Sequence, residues 1–327
     1  MRARTRPPVP LPTLVSGKGA KQAASHLRKK QADPDAKLEF PGHWNDADVR
    51  GALYAMHGRV CAYCEHDLPR NDRGDVEHFR PKSVYWWIAY AFENYLLSCS
   101  VCNRNLKGDR FPLAPGAAPV GYANRDQLPG EPRVLLDPVS DPVETWLRVD
   151  YQDDLNLCPF RATAAAPVGG ELGRRVRETV LFYRLNLEPL LVQERVKTVT
   201  KATELLPRAL NGDAAASEQV ARMASRYEPH SLGVKGLLAD LAPQLLPQPE
   251  QELRWLIQAF LEELRFVRDL LKRYPQDAKI KKLRKEILWA LAVLWQYPPA
   301  GSAQSVEQLI QQDGWKRAVE TYKKKLN

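Results

Sequence analysis

Two Cys-x-x-Cys pairs, Cys61–Cys64 and Cys99–Cys102, constrain this chain more than any other feature of its sequence. One such pair alone is compatible with redox chemistry, a metal knuckle or accident. Two pairs, with 34 residues between Cys64 and Cys99, leave room for a hairpin and a helix whose ends are clamped by one tetrahedral zinc. The competing reading is four buried thiols without metal, which needs both spacings to arise by chance. His66, two residues after Cys64, offers a replacement ligand should a cysteine be spared. Cys158, alone in LNLCPF, reads as a buried thiol. Five cysteines in 327 residues are too few for a disulfide scaffold, so a hydrophobic core must carry the fold.

Around the knuckles the chain divides by composition into four segments. Residues 1–44 form a basic, Pro-rich arm expected to pack only locally, if at all. Its first 32 residues carry eight Lys or Arg and no acid, and Pro7, Pro8, Pro10 and Pro12 forbid the amphipathic helix of a transit peptide. Residues 45–115 hold every motif with chemistry in it and open on a short helix with Val49, Leu53 and Met56 on one side. Residues 116–173 are rich in Pro and Gly, with strand-like RVLLDP and WLRVDY, and read as a loop-and-strand connector.

Residues 174–327 are helical by pattern. Arg174–Leu206 has apolar residues at helical spacing and a break at Pro189. Leu253, Ile257, Phe260, Leu264, Val267 and Leu271 then alternate steps of four and three. Leu283, Ile287, Ala290 and Leu294 mark the next helix, and a last one begins near Ser305 and ends in a basic tail with Lys323, Lys324 and Lys325, read as a solvated helix end. The stripe from Leu253 to Leu271 reads as packing within the chain, against the alternative of a coiled coil between chains. The region as a whole is expected to dock a partner, with that stripe as its apolar surface. The expected class is α+β and mostly helical.

Lys plus Arg (48) minus Asp plus Glu (39) leaves +9, a balance that favours an acidic partner such as nucleic acid. No run approaches the roughly 18 apolar residues of a membrane span, and the start has no apolar stretch for secretion. A cytoplasmic protein with no membrane partner is the expectation.

Between the cysteine pairs runs GDVEHFRPKSVYWWIAYAFENYLLSC, followed by Asn103 directly after Cys102. Phosphodiester hydrolysis needs a base to activate water and a cation to neutralise the charge that grows on phosphate. His78 is the candidate base, because an imidazole titrates near neutrality. Glu77 and Asn103 offer oxygen ligands suited to magnesium or manganese. Lys107, one helical turn beyond Asn103, is a candidate for the scissile phosphate, and Arg80 and Lys82 for further phosphate contacts. Tyr85, Trp86 and Trp87 can stack on unpaired bases or build the core, with the core preferred. His26, His43, His57 and His230 read as structural.

CAYCE, DVEHFRPK, ENYLLSC and CNRNLKGDRFPL together resemble the zinc-knuckled HNH endonucleases of the ββα-metal fold. The resemblance implies a small ββα-metal module with a four-cysteine zinc site, placed before the connector and the helical region. It makes His78 the general base, Glu77 and Asn103 the ligands of the catalytic metal, and Asn94 the side chain that fixes the hairpin loop through backbone hydrogen bonds. Glu77 stands where many members have Asp, and Asn103 where many have His. RPPVP, YWWIAYAFENYLLSC, LLDPVSDPVETWL and RLNLEPLLVQER extend the resemblance to the PtuB-type HNH subunit of Septu and retron-associated anti-phage systems. That relationship implies an SMC-like ATPase partner (PtuA-like) and a nucleic-acid substrate, with DNA ahead of RNA. Two rivals stand beside it: a zinc-knuckle module that binds nucleic acid or protein without catalysis, and a restriction-like HNH nuclease that works alone.

Overall fold

In the computed structural model, residues 1–69, 72–151, 158–167, 169–298 and 303–326 are described. The helices are α1 (Pro12–Val15), α2 (Lys18–Ala32), α3 (Ala47–His57), α4 (Val143–Trp146), α5 (Glu171–Phe182), α6 (Pro189–Leu210), α7 (Ala214–Met223), α8 (Ser231–Leu241), α9 (Pro249–Arg273), α10 (Ala278–Gln296), α11 (Ala303–Gln312) and α12 (Lys316–Lys323). The strands are β1 (Asp75–His78), β2 (Tyr95–Ser98), β3 (Leu147–Val149) and β4 (Phe160–Ala162), paired β1 with β2 and β3 with β4. The class is the expected one, mostly helical, with two small sheets among the described residues. No described helix is long and apolar enough to cross a membrane.

Two compact units form from stretches far apart in the chain. One comprises Met1–Thr5, Arg59–Asp75 and Leu97–Gln248, the other Arg6–Gly58, Val76–Leu96 and Pro249–Asn327. The four segments read from the sequence follow composition, and the first, second and last of them each contribute to both units.

In the second unit, α10 is buried on every side from Glu286 to Trp295, as expected of a helix that is apolar all round. Helices α3, α9, α11 and α12 surround it. The approach of α3 depends on Gly51, where an added Cβ would stand 2.3 Å from the Trp289 Cβ and 2.8 Å from the Glu286 carbonyl oxygen. On α9, Leu253, Ile257, Phe260, Leu264 and Val267 are all buried, and Leu271 is half-buried. The stripe is therefore internal packing of this unit. Its expected role as a docking surface is corrected, because α10 and α11 already cover α9.

The start of the chain also departs from expectation. Met1, Arg2 and Arg4 are buried in the first unit rather than held in a loose arm. Carbonyls and a carboxylate take up part of the hydrogen-bonding capacity of the two guanidinium groups. Arg2 donates to the Ala224 carbonyl at 3.2 Å and pairs with Glu144 at 2.9 Å, while Arg4 donates to the Arg226 carbonyl at 2.6 Å. Further along the arm, in the second unit, α2 carries the buried His26, whose ring packs edge-on to Phe40 at 4.9 Å. Pro189 sits in the first turn of α6, so it opens that helix instead of breaking a longer one.

Candidate functional site

The four paired cysteines come together in the first unit. All are buried, and their Sγ atoms lie within 4.8 Å of one another. Short local hydrogen bonds shape each knuckle: Cys61 N–H donates to the His66 carbonyl at 3.0 Å, and Cys102 N–H donates to the Cys99 sulfur at 3.4 Å. Cys64 Sγ and Cys99 Sγ are 3.8 Å apart. A tetrahedron with metal–sulfur bonds of about 2.3 Å has edges of about 3.8 Å, so the spacing fits a four-thiolate zinc site. Burial opposes ionisation of Cys61, yet hydrogen bonds from the Cys102, Cys64 and Cys99 thiols outweigh it and hold the Cys61 pKa well below the usual thiol value. The same contacts push Cys64 and Cys102 up, so the four buried sulfurs share one ionisation among them, which is what a divalent cation neutralises. His66 does not join this cluster; its Nδ1 lies 2.8 Å from the Glu194 carboxylate.

Asn103 follows directly on the second pair, in the same unit. It lies in a π-helical turn, Val101–Lys107, closed by Gly108 N–H donating to the Asn103 carbonyl at 2.6 Å. Such turns are rare and concentrate at functional sites. The Asn103 Nδ2 donates to Asp75 Oδ2 at 3.1 Å, which leaves the lone pairs of its Oδ1 for other work. Arg104 forks the same carboxylate, with Nε at 2.7 Å and Nη2 at 2.5 Å. Asp75 is a residue that the sequence reading missed; its position two residues before Glu77 on β1 was the available signal. Arg104, Arg110 and Arg184 line a groove of about 670 Å³ along this turn, with Asp109 as its acid. Lys107 also forms part of the wall, but it is buried, and its Nζ lies 3.4 Å from the Gly108 carbonyl.

Glu77, His78 and Asn94 belong to the second unit. Glu77 and His78 end β1, and both are buried. His78 Nε2 stands 2.9 Å from the Ala89 carbonyl oxygen, and the Tyr95 hydroxyl donates to that same oxygen at 2.6 Å. A carbonyl can only accept, so Nε2 carries the proton and the neutral ring keeps its lone pair on Nδ1. Trp44 and Tyr95 meet the ring edge-on, with centroids at 4.7 Å and 5.0 Å, and fix its plane. Burial pushes the Tyr95 hydroxyl well above the ordinary phenol range, so it stays a donor.

Asn94 closes the loop between the strands. Arg80 N–H donates to Asn94 Oδ1 at 2.8 Å, Asn94 Nδ2 donates back to the Arg80 carbonyl at 2.9 Å, and Phe79 N–H donates to the Asn94 carbonyl at 2.9 Å. Arg80 lies over Tyr85, with its guanidinium carbon 6.0 Å from the ring centre, and Lys82 Nζ lies 5.6 Å from the Trp44 ring. Tyr85 is buried in the core, whereas Trp86 and Trp87 are half-buried and pack edge-on at 5.8 Å.

In an alignment 195 positions long that covers 54% of the chain, it is 30% identical to the Septu protein PtuB of Bacillus mycoides (strain KBAB4). The match spans 59% of that relative. No family profile matches the chain, and no solved structure does.

Proposed function

We propose that this chain is a metal-dependent HNH endonuclease that hydrolyses nucleic-acid phosphodiesters as the effector of an anti-phage defence complex with an SMC-like ATPase. The observation that supports the reading is the His78 hydrogen bond to Ala89, which places a proton on Nε2 and makes Nδ1 the basic nitrogen whenever the ring is neutral. The similarity to a Septu protein supports the defence context, and the four-cysteine cluster supports a structural zinc.

In this reading Nδ1 of His78 takes a proton from water, and the resulting hydroxide attacks phosphorus. The P–O3′ bond breaks as the 3′-oxygen takes a proton from solvent, leaving a 5′-phosphate and a 3′-hydroxyl. Glu77 and Asn103 are the oxygen ligands for a magnesium or manganese ion; when bound, it offsets negative charge on the phosphate and the leaving oxygen. Asp75 acts through Asn103: its carboxylate accepts the hydrogen bond from Asn103 Nδ2 and so fixes the plane of the amide. Asn94 keeps the loop after His78 in register. Arg104, Arg110 and Arg184, all exposed, supply a cationic track for the nucleic-acid backbone. Arg80 and Lys82 remain candidates for further phosphate contacts, and Lys107 for the scissile phosphate.

The test is cleavage of plasmid DNA and of transfer RNA, with and without a co-purified ATPase, in magnesium, manganese or chelator. Metal-dependent cutting that leaves 5′-phosphates is expected, with DNA as the preferred substrate. Glu77→Ala and Asn103→Ala should lose cutting and recover part of it at high manganese. A zinc-loaded protein that binds nucleic acid but never cuts, alone or with its partner, would favour the non-catalytic binding module.

A further inference from the structure

The turn that holds Cys61 and Cys64 leads into a second cluster of metal-binding side chains in the same unit. Glu194 Oε2, on α6, stands 2.8 Å from Nδ1 of His66 and 3.5 Å from Nε2 of His230. The ligand atoms of all three side chains lie within 4.8 Å of one another. His230 is only 3% exposed, whereas the His66 and Glu194 side chains are 42% and 45% exposed. The group thus has a fixed back and an open front. His230 also caps α8 with φ at +53°, in a left-handed conformation that costs a non-glycine residue energy.

A separation of 3.5 Å is long for a hydrogen bond from a buried imidazole, whose N–H or lone pair is then poorly satisfied. The two distances bracket the edge of about 3.3 Å expected for a tetrahedron with bonds near 2.0 Å to nitrogen and oxygen. We propose that His66, Glu194 and His230 form a second metal site, distinct from the four-cysteine cluster, for a borderline divalent cation such as zinc, cobalt or nickel. Two imidazoles and one carboxylate favour those ions over magnesium or calcium, which prefer oxygen alone. The exposure of His66 and Glu194 leaves the remaining coordination position to water.

The position of the site gives it a consequence. Glu65 lies between the two clusters in sequence; its N–H donates to the Cys61 carbonyl at 3.2 Å, and its own carbonyl accepts from His230 N–H at 3.1 Å. Its carboxylate accepts from Leu232 N–H at 3.0 Å. A cation held by His66, Glu194 and His230 therefore clips α6 and the start of α8 to the first knuckle.

The experiment is metal binding by the full-length protein. Zinc stoichiometry is measured by elemental analysis after equilibration over a range of free zinc, and cobalt is used as a spectroscopic probe. Apart from any ion at Glu77 and Asn103, the wild type should bind two ions per chain, one at the four cysteines and a second, more weakly, at His66, Glu194 and His230. Cobalt in the first site gives thiolate charge-transfer absorption, and cobalt in the second gives only weak d–d bands. His66→Asn and Glu194→Gln alter exposed side chains; each should weaken the second ion by at least about 100-fold and leave the thiolate absorption unchanged. A wild type that lacks an ion at His66, Glu194 and His230 would overturn the proposal and leave His66 and Glu194 as a hydrogen-bonded pair. Undiminished binding of the second ion by both variants would overturn it equally.

Discussion

His78 and Ala89 are joined by a hydrogen bond of 2.9 Å between Nε2 and a backbone carbonyl, which assigns the proton of the neutral ring to Nε2. Nitrogen-15 spectra of the protein labelled at histidine should show this tautomer for His78. Tyr95→Phe removes the second donor to the same oxygen and nothing else. Its cost should be about 1 kcal/mol of stability, with the tautomer retained and cleavage changed no more than a few-fold. A switch to the Nδ1–H tautomer in the wild type would remove the basis for assigning His78 as the base.

The four-cysteine cluster and Cys158 make a joint prediction about thiol chemistry. Burial pushes the Cys158 thiol up to about 11 although Arg195 pulls the other way, so about one molecule in a thousand carries the thiolate at pH 8. The other four sulfurs should be masked by zinc. Native protein should therefore show essentially no thiol reactive towards a disulfide reagent, and unfolding with chelator should release five. Cys64→Ser should lose the zinc and yield insoluble or molten protein, because structural zinc sites contribute on the order of 10 kcal/mol. Retention of zinc and of a cooperative unfolding transition by that variant would argue against a structural metal.

Glu144 sets a pH window for stability. Burial pushes its carboxyl up, but Arg2 and Lys235 outweigh that and hold it at about 2. A carboxylate depressed on folding stabilises the protein above its unfolded value of about 4.5, and the contribution fades as pH falls towards 2. The shift corresponds to on the order of 3 kcal/mol, or about 2 kcal/mol after discounting for its partial exposure. Glu144→Gln should therefore be less stable than wild type at pH 6 and indistinguishable from it near pH 2. Urea midpoints for the pair measure this difference, and any effect of acid on the knuckles cancels between them.

The stripe on α9 predicts a folding defect instead of a binding defect. Phe260 and Leu264 are at most 2% exposed. Phe260→Asp buries a charge with no partner and should cost upwards of 4 kcal/mol, a large share of a domain's stability. Soluble yield and thermal melting would register it. A stable Phe260→Asp protein that fails only to bind a partner would return the stripe to the interface role that the sequence first suggested.

What could be read from the sequence follows the range of the interactions. The cysteine pairs and the helical stripes are short-range patterns, and the structure holds the four cysteines in one cluster and the stripes on helices. The carboxylate beside Asn103 comes from Asp75, 28 residues away, and the partner of His66 comes from 128 residues away. No spacing rule reaches that far. The arm misled for a similar reason: its arginines look solvated by composition, but their acceptors are carbonyls 222 residues distant. The period of the α9 stripe identified an apolar face without saying what covers it.

The most direct test of the account compares wild type with His78→Ala in a cleavage assay, using protein of equal zinc content and the same co-purified partner. The wild type should cut nucleic acid in magnesium or manganese, and His78→Ala should be slower by about 100-fold or more, the usual worth of a general base. Equal cutting by the two proteins would contradict the assignment of His78, and with it the HNH reading of this chain.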